Sequence, residues 1–382
     1  MRIALFSEVY WPMVSGVGVT LDRLVQALEA RGHAVRVYTA SYPVPEGVPD
    51  RPAVHRSPSV PLFLYPDVQW AFPRQREIAA DLALFRPDLV HVATEFAMGL
   101  VGVKAAQQLG LPIIASAHTD YHKYATRYGV PWLISVGWIY LRWFYRHAER
   151  VLVPSRVYER FLNGRGVTHT GLWTRGVDPG HFHPRFRSEA WRARFGVGPD
   201  DLLVTYIGRL AREKDLLRLV AAWQALRAQR GNAQLVLVGR GPLEEELRQA
   251  QIPGLHVVGL LEGRALSEAY ASADLFAFPS ATETFGNSLL EAMASGLPSL
   301  AVRAGGVMEF AEHDVNAWLA PPGDTTAFTQ ALARLLATPA RRARLGAGAR
   351  ATAQARGWDA IYDGLFAEYA QVAAGRPESR AA

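Results

Sequence analysis

Residues 275–298 read Leu275-Phe-Ala-Phe-Pro-Ser-Ala-Thr-Glu-Thr-Phe-Gly-Asn-Ser-Leu-Leu-Glu-Ala-Met-Ala-Ser-Gly-Leu-Pro298. A four-residue apolar run, Leu275–Phe278, predicts a buried strand, and a loop then leads into a helix beginning near Gly286. The backbone N–H groups of Phe285, Gly286, Asn287 and Ser288 have no intrahelical acceptor at such a junction, and the helix dipole adds partial positive charge. Together with Thr284 they form a predicted anion site. Glu283 stands just before the helix and Glu291 just inside it.

The same strand–helix alternation runs outward from this unit in both directions. In the first half, Ile3–Phe6, Ala34–Thr39, Leu89–Ala93, Ile113–Ser116 and Val151–Pro154 are apolar or β-branched runs, separated by helical stretches such as Leu21, Leu24, Val25 and Leu28. In the second half Leu202–Ile207, Gln234–Val238, His256–Gly259, Asp274–Pro279 and Ser299–Val302 repeat the scheme. The expectation is an α/β protein of two doubly wound, Rossmann-like domains, each a parallel sheet covered on both faces. Clustered glycines and prolines between Thr174 and Asp200 mark the join, giving domains 1–175 and 176–357. Residues 358–382 are expected to cross back as an amphipathic helix onto the first domain and end in a disordered tail. Ligands of such sheets bind at the carboxyl ends of the strands, here in an interdomain cleft.

Composition narrows the class. The 382 residues are 49% hydrophobic and 20% charged, which describes an ordinary globular chain of two or three domains. The absence of cysteine excludes disulfides, thiolate nucleophiles and Cys-based metal sites. The start, MRIALFSEVYWP, reads as a buried strand rather than a signal peptide, and Trp132–Tyr145 is too short to span a bilayer. A cytoplasmic location is the expectation. The net charge is +6, and residues 122–165 hold eight basic residues against two acidic ones, an excess equal to that of the whole chain. A basic face suits polyanions, anionic headgroups or phosphorylated substrates.

Within that stretch, Lys123, Tyr124, Arg127, Trp138 and Arg142 sit among aromatic and basic neighbours between Tyr121 and Arg146, and Asp120 stands just ahead of them as a further candidate acceptor residue. Such an amphipathic helix suits an anionic membrane surface and a lipid-linked acceptor, or else a buried helix with an arginine rim. Near the first strand, Ser15-Gly16-Val17-Gly18 is a glycine turn ahead of a helix, with Leu21 where a dinucleotide fingerprint needs its third glycine. It reads as a loop admitting a phosphate, at Gly16 and Gly18, or as a plain strand-to-helix turn. No Asp-x-Asp occurs and the histidines are scattered, so no metal is expected.

With these motifs the chain resembles the retaining glycosyltransferases of family 4, which have the GT-B fold. Glu283 to Pro298 matches that family's E-x-F-G…E-A-x-A-x-G-x-P pattern. Further likeness lies in Gly208-Arg209-Leu210 with Lys214, in Val238-Gly239-Arg240-Gly241-Pro242, in Arg175-Gly176-Val177-Asp178, and in His118-Thr119-Asp120. Within the family it resembles bacterial α-mannosyltransferases and sulfoquinovosyltransferases that build glycolipids. The resemblance implies that Glu283 contacts the donor sugar, Glu291 the ribose, Arg209 and Lys214 the diphosphate, and that His118 hydrogen-bonds a sugar hydroxyl. It implies base contacts from the backbone around Val258, a phosphate approach at Gly239, and no bound cofactor beyond the sugar nucleotide. Independently of resemblance, cations after a strand end suit a leaving nucleoside diphosphate that gains charge as the C1–O bond breaks. The bland alternative pairs Arg209 and Lys214 with Glu213 and Asp215.

Asp215 departs from the family's glycine after lysine, and Thr174-Arg175 from its Pro-Asn. The expected activity is metal-independent, retaining transfer of a hexose, from GDP-mannose first and UDP-glucose next, to a lipid-linked or glycan hydroxyl. A nucleotide-sugar 2-epimerase of the same fold is the rival enzyme, and a basic membrane- or nucleic-acid-binding protein the non-enzymatic one. No nucleic-acid recognition motif accompanies the basic stretch, so nucleic acid is not an expected partner.

Overall fold

Every residue of the strand Leu275–Phe278 is buried, as a central parallel strand covered on both faces requires. In the computed structural model it is one of fifteen described strands. The structure describes residues 1–13, 15–43, 53–62, 65–118, 133–228 and 231–375. Chain order runs β1 (Arg2–Ser7), α1 (Gly16–Ala30), β2 (Ala34–Ala40), β3 (Val54–Ser57), β4 (Ser59–Leu62), β5 (Tyr65–Ala71), α2 (Gln75–Phe85) and β6 (Leu89–Val92). Next come α3 (Ala97–Leu109), β7 (Ile113–Ser116), α4 (Leu133–Tyr145), β8 (Arg150–Val153), α5 (Arg156–Asn163) and β9 (Thr170–Leu172). The second series is α6 (Glu189–Ala193), β10 (Leu203–Ile207), α7 (Leu216–Ala225), β11 (Gln234–Val238), α8 (Glu244–Gln249), β12 (Leu255–Gly259), α9 (Gly263–Ala271) and β13 (Leu275–Phe278). It ends with α10 (Asn287–Ala294), β14 (Ser299–Val302), β15 (Trp318–Ala320), α11 (Thr325–Ala337), α12 (Pro339–Gln354) and α13 (Trp358–Ala374).

Among the described residues the chain forms two compact units. The first holds the described residues within 1–118, 133–173 and 362–375, and the second those within 174–361. The sheet of the first has the order β3-β2-β1-β6-β7-β8-β9, all parallel. A separate antiparallel hairpin, β4–β5, adjoins it in sequence. The sheet of the second has the order β12-β11-β10-β13-β14-β15, again all parallel. Both are doubly wound. Strand order reverses between β1 and β6 in one sheet and between β10 and β13 in the other, and loops leaving the carboxyl ends diverge at such points.

The strands missed in the sequence are β3, the hairpin, β9 and β15. Each is short or polar, and β3, β9 and β15 lie at sheet edges, where one side of the ladder is unpaired and continuous apolar character is unnecessary. The first glycine turn is also corrected. Gly16 and Gly18 belong to the first turn of α1, with Ser15 as the N-cap accepting from the Gly18 N–H at 3.0 Å.

The helix α13 enters at the end of the second unit and joins the first from Tyr362 onward. There Tyr362, Leu365 and Tyr369 are buried, Arg150 forms an ion pair with Glu368 at 3.0 Å, and Arg31 pairs with Asp363 at 2.9 Å. Residues 376–382, expected to form a disordered tail, lie outside the described residues.

Candidate functional site

The switch point of the second sheet places two loops side by side. The loop after β10 carries Gly208, Arg209 and Lys214, and the loop after β13 carries Glu283, Thr284 and Gly286. Lys214 Nζ donates to Glu283 Oε1 at 2.7 Å, with both side chains largely enclosed. Thr282 Oγ1 donates to the Glu213 carbonyl at 2.8 Å, tying the same two loops a second time. Lys214 therefore pairs with Glu283 and not with Asp215. Arg209 does face Glu213, its Nε 3.8 Å from a fully buried carboxylate.

Glycines set these backbones close together. A Cβ on Gly239 would stand 1.9 Å from the Gly208 carbonyl oxygen, and one on Gly241 2.4 Å from that of Leu210. The loops after β10 and β11 can lie in contact only because those side chains are missing. Gly239 donates its N–H to the Gly259 carbonyl at 2.8 Å, so its part is close approach rather than an open donor. The Glu283 loop is held in the same way by residues not singled out from sequence. Gly306 N–H donates to the Glu283 carbonyl at 2.7 Å, and a Cβ there would meet the Thr284 oxygen at 2.0 Å.

Gly286 caps α10 with φ 103°, a left-handed conformation that turns the chain into the helix. Among the described residues, the N–H groups of Phe285 to Ser288 have no hydrogen-bond acceptor, and Asn287 Oδ1 is buried without a partner. The Phe285 ring is in the core against Phe310, with centroids 5.0 Å apart, so only its backbone is available to a ligand. One turn into α10, Glu291 Oε2 accepts from the Tyr270 hydroxyl at 2.9 Å. Burial first, then the neighbouring carboxylate, pushes the Tyr270 phenol far above its ordinary pKa, so it stays a donor. In the sequence Tyr270 is indistinguishable from one more apolar residue of a helix face.

Val258 lies in a β-bulge. Leu237 pairs with Val257 and Val238 with Gly259, which leaves Val258 without an opposite residue on β11. Asp215 takes the left-handed conformation at φ 52°, between a 3-10 turn and α7. Its departure from the resembling pattern thus falls where glycine is conformationally easiest, and aspartate is among the few other residues that adopt it readily.

In the first unit His118 follows β7, with Nε2 2.8 Å from Ser116 Oγ. Gly16 is exposed at the start of α1, while the Gly18 N–H is taken by Ser15. Asp120, Lys123, Tyr124 and Arg127 lie outside the described residues. Trp138 is half-buried on α4. It packs edge-on against Phe161 at 5.7 Å, and the Arg165 guanidinium lies 5.1 Å from its ring centre. Among the described side chains of α4, the apolar Val136, Ile139 and Trp143 are exposed, with Arg142 and Arg146 exposed beside them. Leu141, Phe144 and Tyr145 turn inward, and Tyr145 and Tyr140 both hydrogen-bond Glu95. Among the described residues no group of three or more histidines or carboxylates could hold a metal ion, and no helix is long and apolar enough to cross a membrane.

Two parallel Rossmann-like sheets, the second with paired cationic and acidic loops at its switch point, define the GT-B class of fold. A solved structure of sucrose-phosphate synthase from Thermosynechococcus elongatus is similar to it, with a TM-score of 0.80 over 98% of this chain and 99% of that one at 24% identity. Family profiles agree: residues 14–181 match "Glycosyltransferase Family 4" and residues 201–338 match "Glycosyl transferases group 1". The chain is 33% identical over 388 aligned positions to a GDP-mannose-dependent alpha-mannosyltransferase of Mycobacterium tuberculosis, covering 100% of this chain and 99% of the other. It is 35% identical to sulfoquinovosyl transferase SQD2 of Arabidopsis thaliana, covering 94% of this chain and 71% of that one. The protein belongs to glycosyltransferase family 4.

Proposed function

We propose that the protein is a retaining, metal-independent hexosyltransferase that takes its sugar from a sugar nucleotide, GDP-mannose first and UDP-glucose next. The observation that carries this reading is the Lys214–Glu283 pair at the switch point, beside the open N–H groups at the start of α10. An ammonium and a row of N–H groups suit a diphosphate, and a carboxylate held at 2.7 Å from that ammonium suits the hydroxyls of the sugar attached to it. Glu291, oriented by Tyr270, is assigned the ribose hydroxyls, and the bulge at Val258 the base. The name of the mycobacterial relative supports GDP-mannose.

In the transfer, the C1–O bond to the β-phosphate breaks and negative charge grows on the departing oxygen. Lys214 and Arg209 stabilise that charge without a divalent cation. The acceptor hydroxyl attacks C1 on the face the leaving group vacates, and its proton passes to the departing phosphate. His118 hydrogen-bonds a sugar hydroxyl and takes no proton.

The acceptor is a lipid-linked or glycan hydroxyl, reached by a protein resting on the cytoplasmic face of the membrane. Three exposed apolar side chains of α4, flanked by Arg142 and Arg146, support contact with an anionic surface.

The test is a thermal-shift series with nucleoside diphosphates and their sugars in EDTA. A ligand at one hundred times its Kd stabilises by about 2.7 kcal/mol. Binding of GDP-mannose or UDP-glucose in EDTA, with an α-linked product by NMR, is the expected result. Binding that requires Mg²⁺ or Mn²⁺, or release of an epimerised sugar nucleotide, overturns it.

A further inference from the structure

Four polar side chains in the first unit form an unbroken file that ends at His118. Tyr369 on α13 has its hydroxyl 2.6 Å from Nδ1 of His91 on β6. His91 Nε2 is 2.8 Å from Ser116 Oγ at the end of β7, and that same oxygen is 2.8 Å from His118 Nε2. Tyr369, His91 and Ser116 are buried to within 1%. The indole of Trp173 stands edge-on to both imidazoles, with centroids 5.7 Å from His91 and 5.5 Å from His118.

We propose that Tyr369, His91 and Ser116 are positioning residues that fix the tautomer of His118, placing its ring proton on Nδ1. The direction follows from counting protons. Tyr369 makes its one hydrogen bond among the described residues to His91, so its hydroxyl proton points at Nδ1 and that nitrogen accepts. Burial, with Tyr362 adding to it, pushes the Tyr369 phenol far above its ordinary pKa, which keeps the proton on the oxygen. A neutral His91 that accepts at Nδ1 carries its proton on Nε2 and donates it to Ser116. Both of Ser116's side-chain hydrogen bonds are with these two rings. Its hydroxyl proton therefore goes to His118 Nε2, and the His118 proton resides on Nδ1. α13 thereby sets the donor–acceptor character of a residue more than two hundred positions earlier.

The consequence for transfer rests on the role given to His118 above. With Nε2 occupied as an acceptor, His118 meets the sugar as a hydrogen-bond donor of fixed orientation and is not poised to remove a proton.

The experiment is ¹⁵N NMR of histidine-labelled full-length protein, which distinguishes the Nδ1–H from the Nε2–H tautomer, for wild type, Tyr369→Phe and Ser116→Ala. The expected result is His118 in the Nδ1–H form in wild type and a mixture in both variants. Turnover should fall by roughly ten- to a hundredfold, the usual range for loss of an orienting partner, with nucleoside diphosphate binding unchanged and Ser116→Thr restoring part of the rate. If His118 keeps one tautomer in all three proteins, or shows Nε2–H in wild type, the inference is overturned whatever the activity. If the tautomer mixes but turnover does not move, the inference stands and the role of His118 in transfer falls instead. Should Tyr369→Phe not fold, Ser116→Ala gives the same readout from the other side of His91.

Discussion

Lys214 and Glu283 are joined at 2.7 Å across sixty-nine positions of sequence, from loops that leave neighbouring parallel strands. Each neutralises the other while no donor is bound. Lys214→Ala leaves an enclosed carboxylate without its cation, and Glu283→Gln leaves the ammonium free to meet phosphate. The expected outcome is asymmetric. Lys214→Ala abolishes nucleoside diphosphate binding in a thermal-shift titration. Glu283→Gln retains or tightens that binding but lowers kcat by on the order of a hundredfold, as loss of a group that acts on the transition state does.

Tyr270 and Glu291 provide a milder lesion. Tyr270→Phe removes the phenol's hydrogen bonds to Glu291 and Ser288 and nothing of the ring's packing, and the bond to the charged acceptor alone is worth about 1.5–3 kcal/mol. Because Glu291 is assigned the ribose, calorimetry is expected to show weaker binding of a nucleoside diphosphate and unaltered binding of inorganic pyrophosphate. Equal weakening of both would remove the ribose assignment.

Gly364 lies exposed in the interior of α13, with open space where a Cβ would go. Gly364→Ala is expected to raise stability by roughly 0.5–1 kcal/mol through helix propensity. Gly239→Ala, by contrast, drives a methyl into the Gly208 carbonyl and is expected to lower the melting temperature and eliminate donor binding together. Chemical denaturation of the two variants checks both signs.

The exposed side of α4 is testable without touching the donor site. Ile139→Glu with Trp143→Ala should reduce co-sedimentation with anionic vesicles several-fold while leaving nucleotide binding and melting temperature near wild type. Unchanged sedimentation would assign the exposed apolar side chains another purpose.

The two sheets were legible because fully covered parallel strands are short unbroken apolar runs, as in Leu275–Phe278 and Ile113–Ser116. Thr170–Leu172 and Trp318–Ala320 were not, since three residues at a sheet edge carry no period. Glu283 with Glu291, and Arg209 with Lys214, stand out in the sequence as two separate local motifs. Their partners were harder. Tyr270 reaches Glu291 from another helix, and Gly306 reaches Glu283 from the far side of β14, relations that only the folded chain creates. The glycine turn at Gly16–Gly18 was misplaced by a few residues because Ser15, a strong cap, starts the helix earlier than the glycines suggest.

The first unit is assembled from a discontinuous stretch of chain. Its strands are translated before residue 174, yet Tyr362, Leu365 and Tyr369 arrive only after the whole of the second unit has been made. Until α13 is made, the seat that buries Tyr362, Leu365 and Tyr369 on the amino-terminal unit has nothing to cover it.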